Sequence, residues 1–371
     1  MTHLYGYFIL LYETKYYKSR LELLNERMNH LFNIKTPKLI LESNKSKLLL
    51  LIGLLFLLIA FFFASLLLGY IKTDFYDLVN TYTNYTDSIE NIVIKNSRMP
   101  RALIALFIGA SLSVSGLLMQ TLTKNPMASP GLLGVNSGAA FFMVFAYSFM
   151  PNLTHNYLMI SSFVGAALAV LFVYALAGGI KGTIQTFDLT LAGAAISAIF
   201  LSFTQMVLYK DQKTMEEILF WLTGSVEGRS MDSLVKLIPI MLIGWIICFL
   251  LAKRLNLFSL GEEIAKGLGL NTELLKLQII LLVVVLAGAS VAVAGPIALV
   301  GLIIPHFTRF LVGAEFKWAI PYSIVLGAIF LLSADVASRF IIYPKEIPVG
   351  AVTAILGTPF FIYIARKAEN K

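Results

Sequence analysis

Three ionisable side chains stand in or beside long apolar runs: Asp188, His306 and Asp335. Within a bilayer such groups can relay protons, hold ions or pair internally. Asp335 precedes Arg339 by four residues, so both share one helix face and can pair. Asp188 stands where a helix begins and complements the positive end of its dipole. His306 follows Pro305 among apolar neighbours. Pairing and capping account for all three more simply than a proton relay, and an ion-driven carrier would need more such groups.

The segment Lys253 to Lys276 carries a different kind of signal. Ser259-Leu260-Gly261-Glu262 has the spacing of a capping box, in which the Ser oxygen and the Glu carboxylate satisfy exposed backbone N–H groups. It predicts a short helix over Glu262-Glu263-Ile264-Ala265-Lys266, stopped by Gly267 or Gly269. Leu260, Ile264 and Leu268 recur every four residues and form a narrow apolar stripe. Such a stripe either seats in a groove of another protein or packs on the chain's own helix ends, and periodicity alone leaves both open. Arg98 and Arg101 flank Pro100 at the amino-terminal end of an apolar run. Positive charge there opposes the helix dipole. Lipid headgroups would offset the cost, as would carboxylates on a partner, which the arginine fork fits bidentately.

Several chemistries are missing. No Gly-x-x-x-x-Gly-Lys-Ser/Thr loop occurs, nor any Gly-Lys pair, so the chain should not bind and split ATP itself. There is no His-Glu-x-x-His pair, no nucleophile elbow and no paired carboxylates within the apolar runs. An enzyme is not expected, nor a metal site or cofactor. Lone Cys248 excludes a disulfide framework and a cysteine metal cluster.

The elements that must carry these residues follow from composition. Of 371 residues, 58% are apolar and 13% charged, about half the usual charged share of a soluble protein. Mean hydropathy is +0.81. The bilayer is the solvent such a chain requires, and the reading is an all-α membrane protein. The charge-free runs are 48–70, 102–123, 131–150, 157–177, 189–209, 237–252, 277–306, 319–334 and 347–365. A span needs ~20 residues, and the seventh run is too long for one crossing. Gly295-Pro296 interrupts it, because proline removes a helix hydrogen bond. Split there, with the eighth helix starting at Pro296 and reaching Val312, the count becomes ten.

Residues 1–47 form a Tyr- and Lys-rich tail without a signal-peptide cleavage pattern, and 48–371 form the membrane domain. Met28 heads a shorter basic leader. Ten spans place both termini on one side. With the termini inside, 19 basic residues fall on the cytoplasmic side and 10 outside, a difference resting mainly on the tail. The net charge of +8 therefore reflects topology and not nucleic-acid binding, since no basic stretch is interleaved with aromatics. Gly109–Gly116 and Gly288–Gly295 share five of eight residues in oppositely directed spans, as an inverted repeat requires. Small-residue helix packing alone could also produce that match.

Together these motifs resemble the iron-siderophore/vitamin B12 permease family of ABC importers. The resemblance is carried by Arg98-Met99-Pro100-Arg101, Gly109-Ala110, Ser115-Gly116 with Gln120, and Asn125-Pro126-Met127-Ala128-Ser129-Pro130-Gly131-Leu132-Leu133-Gly134. It continues through Ser259–Glu262, Gly295-Pro296, Gly301-Leu302-Ile303-Ile304-Pro305-His306 and Glu346-Ile347-Pro348-Val349-Gly350. It runs from about Leu48 to the carboxyl end and leaves 1–47 outside.

The resemblance implies a type II importer permease: a ten-helix subunit in the cell membrane of a bacterium, paired with an identical or paralogous second copy. Two cytoplasmic ATPase subunits would dock at the loop helix, whose matching residues here are Ser259, Leu260, Gly261, Glu262, Glu263, Ile264, Ala265, Gly267 and Gly269. An external solute-binding protein would meet Arg98, Arg101 and Arg339 through acidic residues. Asn125 and Met127 would line a cytoplasmic gate, with Thr186 near the same mouth. Family members often carry Leu where Met127 stands. The implied cargo is a ferric siderophore, with haem or cobalamin as alternatives within the family and an ion-coupled secondary carrier as the rival outside it.

Overall fold

A computed structural model describes residues 41, 43–150, 153–179, 185–210, 218, 221–229, 231–342 and 345–369; the side chains of 155, 186, 210 and 363–369 lie outside that description. Most of the expected tail over 1–47 is likewise outside it. Among the described residues the secondary structure is helical, apart from an isolated antiparallel bridge between Ile342 and Lys345.

The helices are α1 (Asn44–Leu67), α2 (Phe75–Thr83), α3 (Ile89–Val93), α4 (Met99–Thr123), α5 (Val135–Phe149), α6 (His155–Leu176) and α7 (Thr186–Lys210). They continue as α8 (Met231–Leu250), α9 (Ala252–Ser259), α10 (Glu262–Gly267), α11 (Thr272–Val283), α12 (Ala289–Ala294), α13 (Val300–Val312), α14 (Phe316–Ser338) and α15 (Val349–Glu369). A π-turn over Ile94–Arg98 joins α3 to α4, and another over Val284–Gly288 joins α11 to α12. Three starts are capped by side-chain oxygen: Ser43 accepts from Lys45 N–H, Ser88 from Asn91 N–H and Asn271 from Leu274 N–H.

Among the described residues the ten expected spans appear as seven helices long and apolar enough to cross a membrane and three shorter apolar ones, Val135–Phe149, Val300–Val312 and Val349–Ile362. The eighth helix starts at Val300, not at Pro296. Gly295 and Leu299 both take left-handed backbone, with φ of 74° and 70°, so residues 295–299 cannot be helical. Ser225 N–H donates to the Ala294 carbonyl at this break. Irregular backbone at membrane depth persists only where protein supplies such partners.

α4 is the central helix: 83% of its apolar window is buried, against 6% for peripheral α1. It packs chiefly along α14 and also on α13 and α11. Pairings recur between the two halves: α5 packs on α6 and α7 as α13 packs on α14 and α15, and α4 meets α14 as α12 meets α6. That is the neighbour scheme of an inverted repeat.

Glycines set the close approaches. A Cβ on Gly109 would lie 2.3 Å from the Gly327 carbonyl oxygen, and one on Gly116 would lie 1.8 Å from that of Gly301. Pro305 removes the helical donor of the Gly301 carbonyl, which points instead at Gly116. Gly116→Ala is expected to cost about 1–3 kcal/mol by overpacking, read as a lower Tm in detergent. Gly53→Ala, with nothing within 4 Å of its Cβ, should leave Tm unchanged.

Candidate functional site

The candidate residues gather at opposite ends of the bundle, separated by α4, whose 25 residues span roughly 37 Å. At one end lie α10 and the loop after α4, and at the other the arginines.

The capping box expected at Ser259–Glu262 does not form. Ser259 is the last residue of α9 and donates its hydroxyl to the Asn256 carbonyl at 2.7 Å. Gly261 begins α10 with φ of 123°, a conformation that side chains other than glycine rarely adopt. Glu262 turns away from the backbone and pairs with Lys266 at 2.9 Å and Lys276 at 2.8 Å. Because Lys276 belongs to α11, the second bond ties the short helix to the span that follows. Of the two expected stops, Gly269 closes the helix. Leu270 N–H donates to the Ala265 carbonyl and Gly269 N–H to that of Lys266, a Schellman motif with Gly269 left-handed at φ of 81°.

The stripe is presented outwards. Ile264 is 47% exposed, with Leu260 and Leu268 beside it also exposed, while Ala265 is buried against the bundle. Glu263 and Gly267 are exposed as well. Of the two readings of the stripe, packing on the chain's own helix ends is not what the structure contains.

Burial by itself would raise the Glu262 carboxyl, but the hydrogen bonds and charges of Lys276 and Lys266 outweigh it and hold it at about 2. A depressed folded value means the tether contributes fully above the unfolded value of ~4.3. It is lost as pH falls from there towards about 2. Pepsin cleavage over 260–270, relative to cleavage elsewhere, should therefore rise as pH drops from 4.5 to 2.5, on the order of two units. Glu262→Gln should abolish that dependence.

Beside this end, Asn125 makes a side-chain turn in which its Oδ1 accepts from Met127 N–H at 2.9 Å, and its carbonyl accepts from Ala128 N–H. Asn125 is exposed and Met127 half-buried. Thr186 opens α7, and its side chain lies outside the described residues.

At the opposite end, Arg98, Arg101 and Arg339 are all buried, each no more than 6% exposed. The offset to their charge is internal, in place of the lipid headgroups or partner carboxylates expected for Arg98 and Arg101. Asp335 bridges two of them: its Oδ1 accepts from Arg101 Nε at 2.6 Å and its Oδ2 from Arg339 Nη2 at 2.5 Å. The expected Asp335–Arg339 pair thus forms, within a larger network. Arg101 also donates to Glu346 and to Ser338 Oγ at 3.3 Å. Arg339 Nη1 donates to the carbonyls of Ser65 and Leu68, both at 2.7 Å. Arg98 donates to the carbonyls of Leu66, Leu67 and Ile71 and to Thr73 Oγ1, closing the end of α1. A cleft of about 210 Å³ remains, bordered by Tyr70, Ser97, the three arginines and Glu346.

Glu346 was not expected in this role. It lies 245 residues from Arg101 along the chain, so no spacing rule could connect them. Glu227 lies within electrostatic reach of the same network: burial raises its carboxyl first, the charge of Glu346 adds to that, and Arg101 opposes it. Asp188 lies in the first turn of α7, as expected of a dipole-complementing residue. His306 packs edge-on against the Phe360 ring at 5.7 Å.

Comparison with known proteins accords with this geometry. The FecCD transport family matches residues 57–367. A Bacillus subtilis (strain 168) protein described as "Probable siderophore transport system permease protein YfiZ" is 46% identical over 332 residues, covering 90% of this chain and all of that one. The Fe(3+)-citrate import system permease protein YfmD of the same organism is 41% identical, covering 76% of this chain and 84% of its own length. A solved inward-facing ABC transporter of metal-chelate type matches with a TM-score of 0.76 and 31% identity, over 86% of this chain and 99% of that one. With seven long and three shorter apolar helices among the described residues, a short helix presenting an apolar stripe at one end and a buried arginine–carboxylate network at the other, the chain belongs to the FecCD transport family.

Proposed function

We propose that this chain is the membrane-spanning subunit of an ABC importer for a ferric siderophore, driven by ATP hydrolysis on separate cytoplasmic subunits and fed by an external binding protein. The observation that carries this reading is α10, a salt-bridged helix with an outward apolar stripe in a chain that has no ATP-binding loop of its own. The names of the relatives support an iron-chelate cargo.

In this reading the α10 end is cytoplasmic, together with both termini. Closure of the paired ATPase subunits displaces α10. Glu262 and Lys276 pass that displacement to α11, and the Gly295–Leu299 break lets α12 and α13 respond separately. The turn built by Asn125 and Met127, with Thr186 near the same mouth, forms the cytoplasmic gate. The path runs between this subunit and a second copy or paralogue. The binding protein docks over Arg98, Arg101 and Arg339.

Because those arginines are already engaged, docking proceeds by exchange of partners. Asp335 is wholly buried, whereas the Glu346 side chain is 26% exposed on the loop leading to α15. Glu346 is therefore the carboxylate that an incoming acidic residue replaces. Glu346→Gln is expected to strengthen binding of the cognate binding protein at low salt by about fivefold, the scale of one partly exposed ion pair. Equilibrium titration checks it, and unchanged or weaker affinity removes the exchange step.

The transport reading is tested in vesicles holding this chain, the ATPase subunits and the binding protein, with no ion gradient. ATP-dependent uptake of a ferric siderophore is expected, ahead of haem and cobalamin. Uptake that follows an ion gradient without ATP would identify a secondary carrier instead. Against that rival stands Asp335, both of whose oxygens are taken by guanidinium groups.

A further inference from the structure

At the α10 end a cleft of about 300 Å³ opens between the last turn of α4, the end of α9, α13 and the first turns of α14. Two cations, Arg309 and Lys124, line it, and no carboxylate does. Among the described residues neither takes part in an ion pair.

Arg309 is held in position. Buried Gln120 donates its amide Nε2 to the Leu302 carbonyl at 3.0 Å, which turns its Oε1 towards Arg309 Nη1 at 2.5 Å. A guanidinium carries five N–H donors, so one such bond leaves most of its capacity for a ligand. Lys124 follows the last residue of α4 and is exposed. The remaining walls are mainly apolar, including Leu117, Pro126 and Phe316.

A second cavity of about 400 Å³ adjoins the same turns of α14 and is lined by apolar residues, among them Leu55, Phe249, Leu250, Ile320 and Ile324. Ala319 borders the cationic cleft and Ile320 the apolar groove. Successive helical residues point about 100° apart, so the two cavities occupy neighbouring faces of one helical turn. The groove opens towards the surroundings of the bundle, since Phe249 and Leu250 are both exposed. Trp245, which also lines it, has a buried Nε1 without an acceptor among the described residues.

We propose that the Arg309–Lys124 cleft binds a phosphate oxyanion, supplied by the headgroup of an anionic phospholipid whose acyl chain lies in the neighbouring groove. A guanidinium and an ammonium together match one phosphate by charge and by bidentate geometry. Basic pockets between membrane helices suit anionic headgroups at the bilayer surface. The groove supplies an apolar surface that a free anion would not use. The proposal is independent of the transported solute.

The test titrates phosphatidylglycerol and phosphatidylcholine with identical acyl chains against the full-length chain in detergent, read by native mass spectrometry. Phosphatidylglycerol should bind at least about tenfold more tightly, and Arg309→Gln should remove that preference. Because that change also cuts the Gln120 bond, Lys124→Gln is the second variant; its side chain is exposed and takes part in no ion pair among the described residues, and it should weaken phosphatidylglycerol about fivefold. Inorganic phosphate that displaces phosphatidylglycerol supports the shared oxyanion chemistry. Phosphate that binds while the lipid stays in place overturns the lipid as source. Equal retention of the two lipids, or wild-type phosphatidylglycerol binding by both variants, overturns the proposal outright. So does loss of the lipid preference when the ATPase subunits are bound, which would give the cleft to a protein carboxylate.

Discussion

Ile264→Asp is expected to reduce ATP-driven uptake at least ~30-fold and to abolish co-purification of the ATPase subunits, because one apolar interface anchor is worth ~2–4 kcal/mol. Ile264 lies in the middle of the exposed stripe between Leu260 and Leu268. The substitution removes apolar area that a partner groove would bury and introduces a charge with no partner there. Within the chain itself Ala265 makes the buried contact with the bundle and Glu262 anchors the helix, while Ile264 is about half exposed. Tm in detergent should therefore stay at the wild-type value while transport is lost. Normal association and uptake in this variant would take the docking role away from α10.

Asp335→Ala should have the opposite profile, a collapse of stability and not a specific functional loss. The carboxylate is fully buried between Arg101 and Arg339. Removing it strands two buried guanidinium groups, and breaking such a pair typically costs about 3–5 kcal/mol. That is a large share of the ~5–15 kcal/mol by which folded domains are stable. The expected readout is little folded protein on size exclusion and a strongly lowered Tm. Asp335→Asn keeps one acceptor oxygen and should fall between. If Asp335→Ala left Tm within a degree or two, the network would not be what closes this end of the bundle.

Much of the fold follows from patterns that act over one or two helical turns. The apolar runs mark the helices to within a few residues, and Gly295-Pro296 marks the break, because proline and glycine act on their own backbone. The exact restart at Val300 depends on Leu299 taking left-handed backbone, which no sequence preference of leucine suggests. The Ser259–Glu262 pattern was misleading for a similar reason. The local capping geometry it describes lost to a charge partner, Lys276, fourteen residues away on another helix.

The arginines show the same division most clearly. Arg98, Arg101 and Arg339 stand out in the sequence because each is a charge placed where charge is costly. A four-residue spacing was enough to pair Arg339 with Asp335. Joining Arg101 to that pair and to Glu346 required helices from both ends of the chain to meet, and joining Arg98 to the end of α1 required the intervening segment to fold back.

Sequence by itself determined that this chain is built for a bilayer, holds about ten apolar segments, carries no Gly-x-x-x-x-Gly-Lys-Ser/Thr loop and shares the motifs of one importer family. Those properties are set by composition and by short-range periodicity, which survive without knowledge of neighbours. Tertiary structure alone decided which charges are buried, that Glu346 is the partly exposed carboxylate of the arginine network, that the α10 stripe faces outwards and that Arg309 lines a cleft without a carboxylate among the described residues. Each depends on which residues of different helices come within bonding distance, from fourteen positions apart for Glu262 and Lys276 to 245 for Arg101 and Glu346, or on none doing so. A buried charge is stabilised only by groups that actually reach it, and that is a property of the packed molecule.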